Sequence, residues 1–550
     1  LKEDVANLDE VVVVGYGTQK KAHLTGSVAT VSQKDMLKTT ASNMSQTLVG
    51  KLPGLITQQS LGQPGSDDVS ILIRGYSSFS GSGTVLVLVD GVERAMGQVD
   101  PNDVESVTIL KDAASCAVYG MKAANGVVLV TTKHGQEGKT DITYRGSMTL
   151  SHATTLPKMM NGTQYMQWYN LARKLDNNGV DNPYFTDEEI AATYNGDPTD
   201  GFENTDWTSD LYKTTLMHQH NLSINGGSNK VRYFISGGYL HQDGIIKGNK
   251  NERSNFRSNI DVKINDYLSG FMRLSGNIKT EKTTGYGNET IYNHIFNLPP
   301  TMYGPVTPFG EGILNGNQVI THDNEKTPVY GMLNRSGYIQ ALVANINAQA
   351  GLVLDLSFLT KGLSLSGVMA YQTNSVNQTT TTQNFERYVR SKDFSKLDFS
   401  LLGSDSNTPL AYGKSSSFYY NLNLFANVNY SRQFGDHSID ALGYIFYLQQ
   451  EKENASGSQI LPYKRENLGL SATYGYKKRY FVKADLGYSG SEQFHPDNRY
   501  VATPAISAAW VVSSEPFMSN LSWLSNLKLR ASYGLTANDQ LGGERFLYLD

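Results

Sequence analysis

Segments in which apolar and polar residues alternate one by one recur through most of this 550-residue chain. An extended strand points successive side chains to opposite faces, so each segment presents one apolar and one polar face. The segments run for about 9–12 residues, longer than an ordinary strand and long enough to cross a membrane at a tilt. The clearest are Ser254–Ile264, Tyr420–Tyr430, Leu468–Tyr476, Tyr480–Tyr488 and Leu527–Leu535. They predict a mainly β chain.

The polar face constrains where the apolar face must lie. In a soluble β-sandwich the inner face is the driest surface of the protein. Here the second face is built from Asn, Ser, Arg and Lys, which suits a water-filled interior with lipid outside. Tyrosines at several strand ends suit the headgroup level of a membrane. A soluble sandwich remains the alternative, because alternation alone does not say which face is inside.

Helical membrane insertion is excluded by the sequence. The longest apolar runs are Val11–Val14, Val85–Val89 and Gly126–Val130, whereas a spanning helix needs about 20 apolar residues. The start, Leu1 to Asp4, lacks the basic and apolar regions of a signal peptide and the chain does not begin with Met, so we expect a mature or trimmed chain. A membrane location therefore requires a β-barrel.

Composition excludes several other classes. Net charge is −4, from 47 basic and 51 acidic residues, which gives no electrostatic basis for binding nucleic acid. The single cysteine, Cys116, excludes an intramolecular disulfide framework and a zinc site built from cysteines.

The chain changes character near residue 140. Before it, Asp100-Pro101 begins a helical turn, Lys111–Ala114 opens a short helix that Gly120 ends, and Gly126–Lys133 is a buried strand. We therefore expect a short N-terminal segment over residues 1–20, a compact α+β domain over residues 21–138, and a β domain over residues 139–550.

Roughly thirteen strand candidates fill the last of these segments. Long polar inserts separate some of them, at Leu156–Thr215, Lys279–Asn334 and Gln372–Ser417, and Thr163–Lys174 within the first insert predicts a helix. Short turns at one end and long loops at the other are typical of outer-membrane barrels.

The first 133 residues carry many short motifs in a fixed order. These are Leu8–Lys21, Leu24–Val28, Gly50–Leu55, Gly62–Gly65, Ile71–Gly75, Val89–Val92, Asn102–Ser106, Leu110–Ala114, Tyr119-Gly120 and Ala124–Lys133. Together they resemble the N-terminal region of SusC/RagA-like TonB-dependent outer-membrane transporters. The resemblance implies a transmembrane antiparallel β-barrel of about 22 strands with an N-terminal α+β plug. The β region resembles the family only in its general pattern of strands and loops, without specific motifs.

Two departures from the family pattern stand out. Met121-Lys122-Ala123 replaces the usual Ser-Arg-Gly, which affects the expected geometry of that loop. Thirteen strands also cannot close a barrel of that size, and an open edge in lipid leaves backbone groups unpaired. We therefore expect this chain to be the N-terminal part of a longer one, holding the first half to two-thirds of the barrel.

The family's function is active import across the outer membrane of a Bacteroidetes-like Gram-negative cell. The resemblance implies an oligosaccharide substrate, a SusD-like lipoprotein partner, and energy from TonB with its ExbB/ExbD motor. It also admits surface glycan-binding proteins and glycoside hydrolases as partners. The alternatives are a peptide importer of the same class, a passive porin, and a β-rich glycan-binding protein without transport.

The segment resembling a TonB box lies at the N-terminus. It comprises Asp9, Glu10, Val11, Val12, Val13, Val14, Gly15 and Tyr16. Its β-branched residues can add as a strand to the sheet edge of a partner, and the alternative is that they form the first strand of the plug.

Further residues are expected to shape or gate the plug. They are Arg74, Gly75, Asp90, Gly91, Lys111, Asp112, Tyr119, Gly120, Asn125 and Gly126. Arg74 and Asp90 either hold a releasable contact with the barrel wall or fix the plug fold through a buried ion pair or a hydrogen-bonded Arg, which is the interpretation we favour. The glycines fit turns that need a positive φ.

Nothing in the sequence predicts catalysis, a cofactor or a metal site. Gly135–Thr140 has two residues between its glycines where a phosphate-binding loop needs four, and His218 with His220 lacks a third metal ligand. Asp197–Asp206 misses the EF-hand spacing. Aromatic residues of the inserts are candidates for stacking on sugars, although loop packing or the lipid belt is the favoured explanation for each of them, so the substrate residues stay unknown. They are Trp168, Tyr169, Trp207, Tyr286, Tyr292 and Tyr303.

Overall fold

A computed structural model defines the fold. It describes residues 11–14, 17–20, 25–75, 83–196, 202–309, 316–322, 327–391, 397–518, 521, 523–524, 526–540, 545–546 and 548.

The N-terminal domain is an α+β unit, which we call the plug. Its elements are β1 (Val11–Val14), β2 (Gly17–Lys20), β3 (Val28–Ser32), α1 (Gln33–Met36), β4 (Leu55–Gln59), β5 (Val69–Ile73), β6 (Leu86–Val89), β7 (Val92–Glu93), β8 (Val104–Leu110), α2 (Ala113–Cys116) and β9 (Val127–Thr132). Short 3-10 turns join them at Ser45–Leu48, Met96–Gln98, Pro101–Asp103, Ala117–Tyr119 and Met121–Ala123. A five-stranded sheet in the order β3-β8-β9-β6-β7 forms its centre, and β4 pairs with β5 beside it.

Local sequence explains these elements. Asp100 accepts a hydrogen bond from the Asn102 N–H, which caps the predicted turn at Pro101, and Asp112 does the same for α2 through Ser115. Met36, Met44, Leu48 and residues of β6, β8 and β9 form one apolar core. The predicted α+β domain is confirmed.

Thirteen strands in the described part of the chain form one antiparallel sheet, which we call the wall. They are β10 (Gly138–Ser151), β11 (Thr215–Gly227), β12 (Val231–Asp243), β13 (Lys250–Lys263), β14 (Leu268–Thr284), β16 (Tyr338–Asp355), β17 (Leu363–Thr382), β20 (Ala411–Phe434), β21 (His437–Glu453), β22 (Tyr463–Tyr476), β23 (Tyr480–Ser491), β24 (Tyr500–Val511) and β25 (Lys528–Gly534). Each strand pairs with the next along this series, and β10 and β25 form the two edges.

The faces of the wall are apolar outside and polar inside, as the alternation predicts. Along β22, Leu468, Leu470 and Tyr474 are exposed, while Asn467 and Thr473 on the opposite face are buried. The buried side chains face the plug, since Asn467 Nδ2 donates to the Val118 carbonyl at 2.9 Å. A dry sandwich interior is therefore ruled out.

Short turns and long loops alternate at the two ends of the wall. Turns 228–230, 264–267, 435–436 and 477–479 are short, whereas loops 152–214, 285–337 and 383–410 are long. The predicted insert bounds at Lys279–Asn334 and Gln372–Ser417 are wrong, because β14 continues to Thr284, β17 to Thr382, and β20 already begins at Ala411. These extensions are polar on both faces, so they carry no alternation signal, yet they pair in register.

The long loops fold into a lobe of their own. Its elements are α3 (Gly162–Asp176), α4 (Asp187–Asn195), α5 (Trp207–Leu211), α6 (Asn288–Ile295), β15 (Val319–Ile320), α7 (Val329–Asn334), β18 (Arg387–Arg390) and β19 (Phe399–Leu401). α3 confirms the predicted helix, and it begins with a capping box between Asn161 and Gln164. Leu211, Ile291, Met332 and Phe399 bury one core that joins three separate loops.

Candidate functional site: the plug and the wall that holds it

The predicted coupling segment is only partly described. β1 (Val11–Val14) pairs antiparallel with β2, from Val14 opposite Gly17 to Val11 opposite Lys20. This pair is a sheet of its own and does not extend the five-stranded plug sheet. Asp9, Glu10, Gly15 and Tyr16 lie outside the described residues.

Arg74 and Gly75 end β5 at the surface of the plug. Arg74 is exposed, its N–H donates to the Gly54 carbonyl at 3.0 Å, and its Nη2 donates to Ser27 Oγ at 3.2 Å. Gly75 has a φ of +94°, which only glycine adopts without strain. Arg74 therefore contacts other plug residues and not Asp90.

Asp90 lies in the turn between β6 and β7 and faces both the plug and the wall. Its Oδ1 and Oδ2 accept hydrogen bonds from the Thr132 N–H at 2.9 Å and the Thr132 hydroxyl at 2.7 Å. Arg257 Nη1 on β13 lies 3.8 Å from Oδ2. Burial alone would raise the pKa of Asp90, but Arg273 and Arg257 outweigh it and lower the pKa. The turn needs a positive φ at Asp90 and at Gly91, +49° and +84°.

Two arginines of β13 extend this contact along the wall. Arg257 Nε lies 3.3 Å from Asp103 Oδ2, and Ser236 Oγ donates to Asp103 Oδ1 at 2.5 Å. Arg253 Nη1 donates to the Ser42 carbonyl at 2.9 Å. The alternation placed Arg257 on the polar face, but nothing in the sequence indicated its plug partners.

Glu93 at the end of β7 joins the plug to the opposite side of the wall. It pairs with Lys122 in the plug, and Arg465 Nη2 on β22 lies 3.0 Å from its Oε2. Burial opposes ionisation, yet Lys122 and Arg465 lower the pKa of Glu93 to about 2. Lys122 stands where the family pattern has Arg, so the departure at residues 121–123 keeps a cation at the position of this ion pair.

Lys111 and Asp112 hold the N-terminal part of the plug. Lys111 Nζ donates to the Pro53 carbonyl at 3.0 Å. Asp112 Oδ2 accepts from the Ser27 N–H at 2.6 Å and lies 3.5 Å from Ser532 Oγ on β25.

Tyr119 and Gly120 lie where the plug meets β22 and β23, whereas Asn125 and Gly126 contact other residues of the plug. Tyr119 is buried, and Asn125 Nδ2 donates to the Thr84 carbonyl at 3.2 Å. Gly120 and Gly126 have φ values of +72° and +96°. A Cβ on Gly120 would lie 2.9 Å from Asn467 Oδ1 and closer still to Ser489 Oγ, so the wall touches the plug backbone here.

An apolar contact anchors the plug on one part of the wall. Phe425, Tyr444, Phe446 and Leu448 point inward from β20 and β21, against the rule that the inner face is polar. They pack on plug residues that include Leu86, Val118 and Leu129. The sequence indicated Phe425 as an inward residue but not its partner.

A cavity of about 610 Å³, lined by both polar and apolar side chains, lies where the plug faces β13, β14, β16 and β17. The plug contributes Ser42, Asn43, Asp67 and Asp68 to its lining, among others. The wall contributes Asn251, Arg253, Asn277, Lys279, Asn345 and Asn374.

The other candidate residues lie elsewhere. None of the six insert aromatics lines this cavity: Tyr303 packs on Phe399 at 5.2 Å between ring centroids, and Trp207 Nε1 donates to the Pro299 carbonyl at 3.0 Å. His218 stacks on His241 at 5.1 Å, and no group of three or more His, Cys, Asp or Glu able to hold a metal occurs among the described residues. In the same part of the chain, no helix combines the length and apolarity that crossing a membrane requires.

Comparison with known proteins agrees with this geometry. Residues 20–127 match the family model of the TonB-dependent Receptor Plug Domain. TonB-dependent receptor P26 of Formosa agariphila is 30% identical over 97% of this chain and 53% of its own length. TonB-dependent receptor SusC of Bacteroides thetaiotaomicron is 26% identical over 100% of this chain and 55% of its own.

A solved structure of the RagAB peptide importer in its open-open state shares the fold. Its TM-score is 0.76 at 21% identity, covering 96% of this chain and 61% of that one. The chain spans about half the length of the curated relatives.

Plug, wall and relatives together define a plugged outer-membrane receptor of the TonB-dependent class. Within that class, the chain is SusC-like. The expected fold class and outer-membrane location are confirmed.

Proposed function

We propose that this protein imports oligosaccharides across the outer membrane, with the plug as its gate. The observation that supports this proposal is the set of contacts between the plug and the wall. Ion pairs and amide contacts hold the plug at β12–β14 and β22, and a transport cycle has to break such contacts and remake them. Water can replace polar contacts at small net cost, whereas it cannot replace apolar ones.

Energy would reach the plug through TonB and its ExbB/ExbD motor, by way of residues 9–16. A β-branched strand such as β1 can exchange its partner β2 for the edge of another sheet, where several main-chain hydrogen bonds resist pulling together. A SusD-like lipoprotein would cover the loop lobe. The similarity to SusC supports this partner.

Peptide import is the second candidate. The structures of similar fold include that of the RagAB peptide importer. That similarity is one of fold, so it makes a peptide a candidate substrate but does not favour a peptide over an oligosaccharide.

Uptake by the native cell tests the proposal. Cells with the full-length protein are given labelled neutral, uronic and sulfated oligosaccharides and a peptide mixture, with and without TonB and with and without an uncoupler of the proton gradient. We expect uptake of an oligosaccharide that stops when either energy source is removed, while surface binding remains. Uptake that persists without TonB would show a passive porin, and uptake of peptides alone would show the second candidate.

A further inference from the structure

The cavity between the plug and β13–β17 has two buried polar groups without partners. Asn251 is 3% exposed and Arg253 is 6% exposed, and both line the cavity. Asn251 Oδ1 and Arg253 Nε make no hydrogen bond with any residue that the structure describes. Leaving a buried donor or acceptor unpaired is costly, so such groups mark a place where something else supplies the partner.

The two groups lie on the same strand two positions apart, so both point to the inner face. One offers an acceptor and the other a donor. The other amides of the wall are already engaged: Asn345 donates to Asn277 Oδ1 at 3.2 Å, and Gln98 of the plug donates to Asn345 Oδ1 at 3.0 Å. Among the described residues that line the cavity, the buried polar atoms without a hydrogen-bond partner are therefore those of Asn251 and Arg253.

The charges around the cavity are unequal. Both wall cations have an anionic partner, since Arg253 Nη2 lies 3.5 Å from Asp100 Oδ2 and Lys279 pairs with Glu281. Among the described residues, the side chains that bond the plug carboxylates Asp67 and Asp68 are the neutral ones of Ser42 and Asn43. The cavity therefore keeps two negative charges and a surplus of acceptors.

From this arrangement we infer that the cavity is a binding subsite for an uncharged, hydroxyl-rich unit, which is a neutral rather than an acidic glycan. Every hydroxyl can donate to a carboxylate or to Asn251 Oδ1, and its oxygen can accept from Arg253 Nε. A uronate or sulfate group would meet Asp67 and Asp68 at short range, where like charges repel. A peptide backbone offers one N–H per residue and satisfies fewer of these acceptors.

The cavity also differs from a usual sugar site in its lining. No aromatic side chain lines it among the described residues, so recognition here depends on hydrogen bonds and not on stacking. The inference rests on the proposed import function and names the substrate class of its site.

Binding of the purified full-length protein to an array tests it. The array carries neutral, uronic and sulfated oligosaccharides and basic, neutral and acidic peptides. We expect the bound members to be neutral glycans, and Asn251→Leu to weaken binding about tenfold. Binding confined to acidic glycans or to peptides, or no binding to any neutral glycan, overturns the inference. None of these results depends on TonB, so a failure here is distinct from a failure of the import function.

Two further variants separate binding from folding. Asn423 is a matched control, because it is 1% exposed on the same inner face, its Oδ1 and Nδ2 also lack partners, and it does not line the cavity. Asn423→Leu should leave binding unchanged, and an equal loss in both variants would overturn the inference. Asp68→Asn changes an exposed side chain with little risk to the fold, and it should raise binding of uronic glycans severalfold. No change in that variant would contradict the role given to the negative charge.

Discussion

Arg465 on the wall strand β22 donates a hydrogen bond from Nη2 to Oε2 of Glu93 in the plug, at 3.0 Å and across 372 positions of sequence. Glu93 also holds Lys122, so one plug carboxylate joins a plug cation to a wall cation. The contact is mostly buried, and breaking one partner of a buried pair leaves the other charge uncompensated.

Glu93→Gln should therefore loosen the seating of the plug. We expect a cost of about 3 kcal/mol, because Arg465 and Lys122 both lose their counter-ion. The measurement is the urea concentration at which the full-length protein in a planar bilayer begins to conduct, which reports exit of the plug. Lys38→Met, which removes an exposed pair with Asp35, is the control and should change the midpoint little. Equal shifts of the urea midpoint in the two variants would show that the Glu93 contact holds the plug no better than an exposed ion pair does.

Acid should release the same contact. The pKa of Glu93 falls from its ordinary 4.5 to about 2 in the folded protein, so its contribution is complete above about pH 4.5 and is lost as the pH falls towards 2. The conductance assay repeated from pH 7 to pH 3 should show a flat region and then easier plug exit. In Glu93→Gln the acid-dependent part attributable to Glu93 should be missing, and an unchanged pH profile would contradict the assignment.

Gly120→Ala should weaken the contact between the plug and β22–β23. The substitution strains a φ of +72° and places a Cβ against Asn467 and Ser489. Gly50→Ala is the matched control, since its φ is +70° but nothing lies within 4 Å of its Cβ. A positive φ alone costs about 1–2 kcal/mol in both variants. Gly120 combines it with a ψ of −154°, a conformation almost confined to glycine, and with the contact to the wall, so Gly120→Ala should show an additional loss of thermal stability. Identical losses would mean that the wall does not press on Gly120.

The face of each wall strand can be tested by charge. Leu470 is exposed near the middle of β22, and Ser471 next to it belongs to the opposite face. Leu470→Lys places a charge in lipid at a cost of about 2–4 kcal/mol, so the yield of membrane-inserted protein should fall. Ser471→Lys should insert almost normally, and the reverse ranking would mean that the faces are assigned backwards.

Much of the fold could be predicted from the sequence, because its strands and helix ends follow from local residue patterns. The period of two placed β22, β23 and β25 to within a few residues, and Asp112 with Gly120 marked the ends of a short helical region in the plug. The 24 residues of β20 were underestimated because Ala411–Ser417 continues the strand without an apolar face.

Much less of the candidate site could be predicted from the sequence. Arg253, Arg257 and Arg465 sit in strands whose polar face is rich in similar residues, and only the curvature of the wall around the plug selects their partners. Asn251 could not be identified either, because no sequence pattern shows that a buried side chain lacks a hydrogen-bond partner. The shared core of the loop lobe was also missed, because its members come from three inserts that are distant in the chain.

Removing residues 9–16 from the full-length protein tests the central claim most directly. Uptake and surface binding of the same labelled oligosaccharide are measured in native cells that carry either form at equal abundance. We predict that uptake falls to the level of cells without TonB while binding is retained, because the site lies in the plug and wall and the drive enters through the deleted segment. Normal uptake by the deleted form would contradict the account.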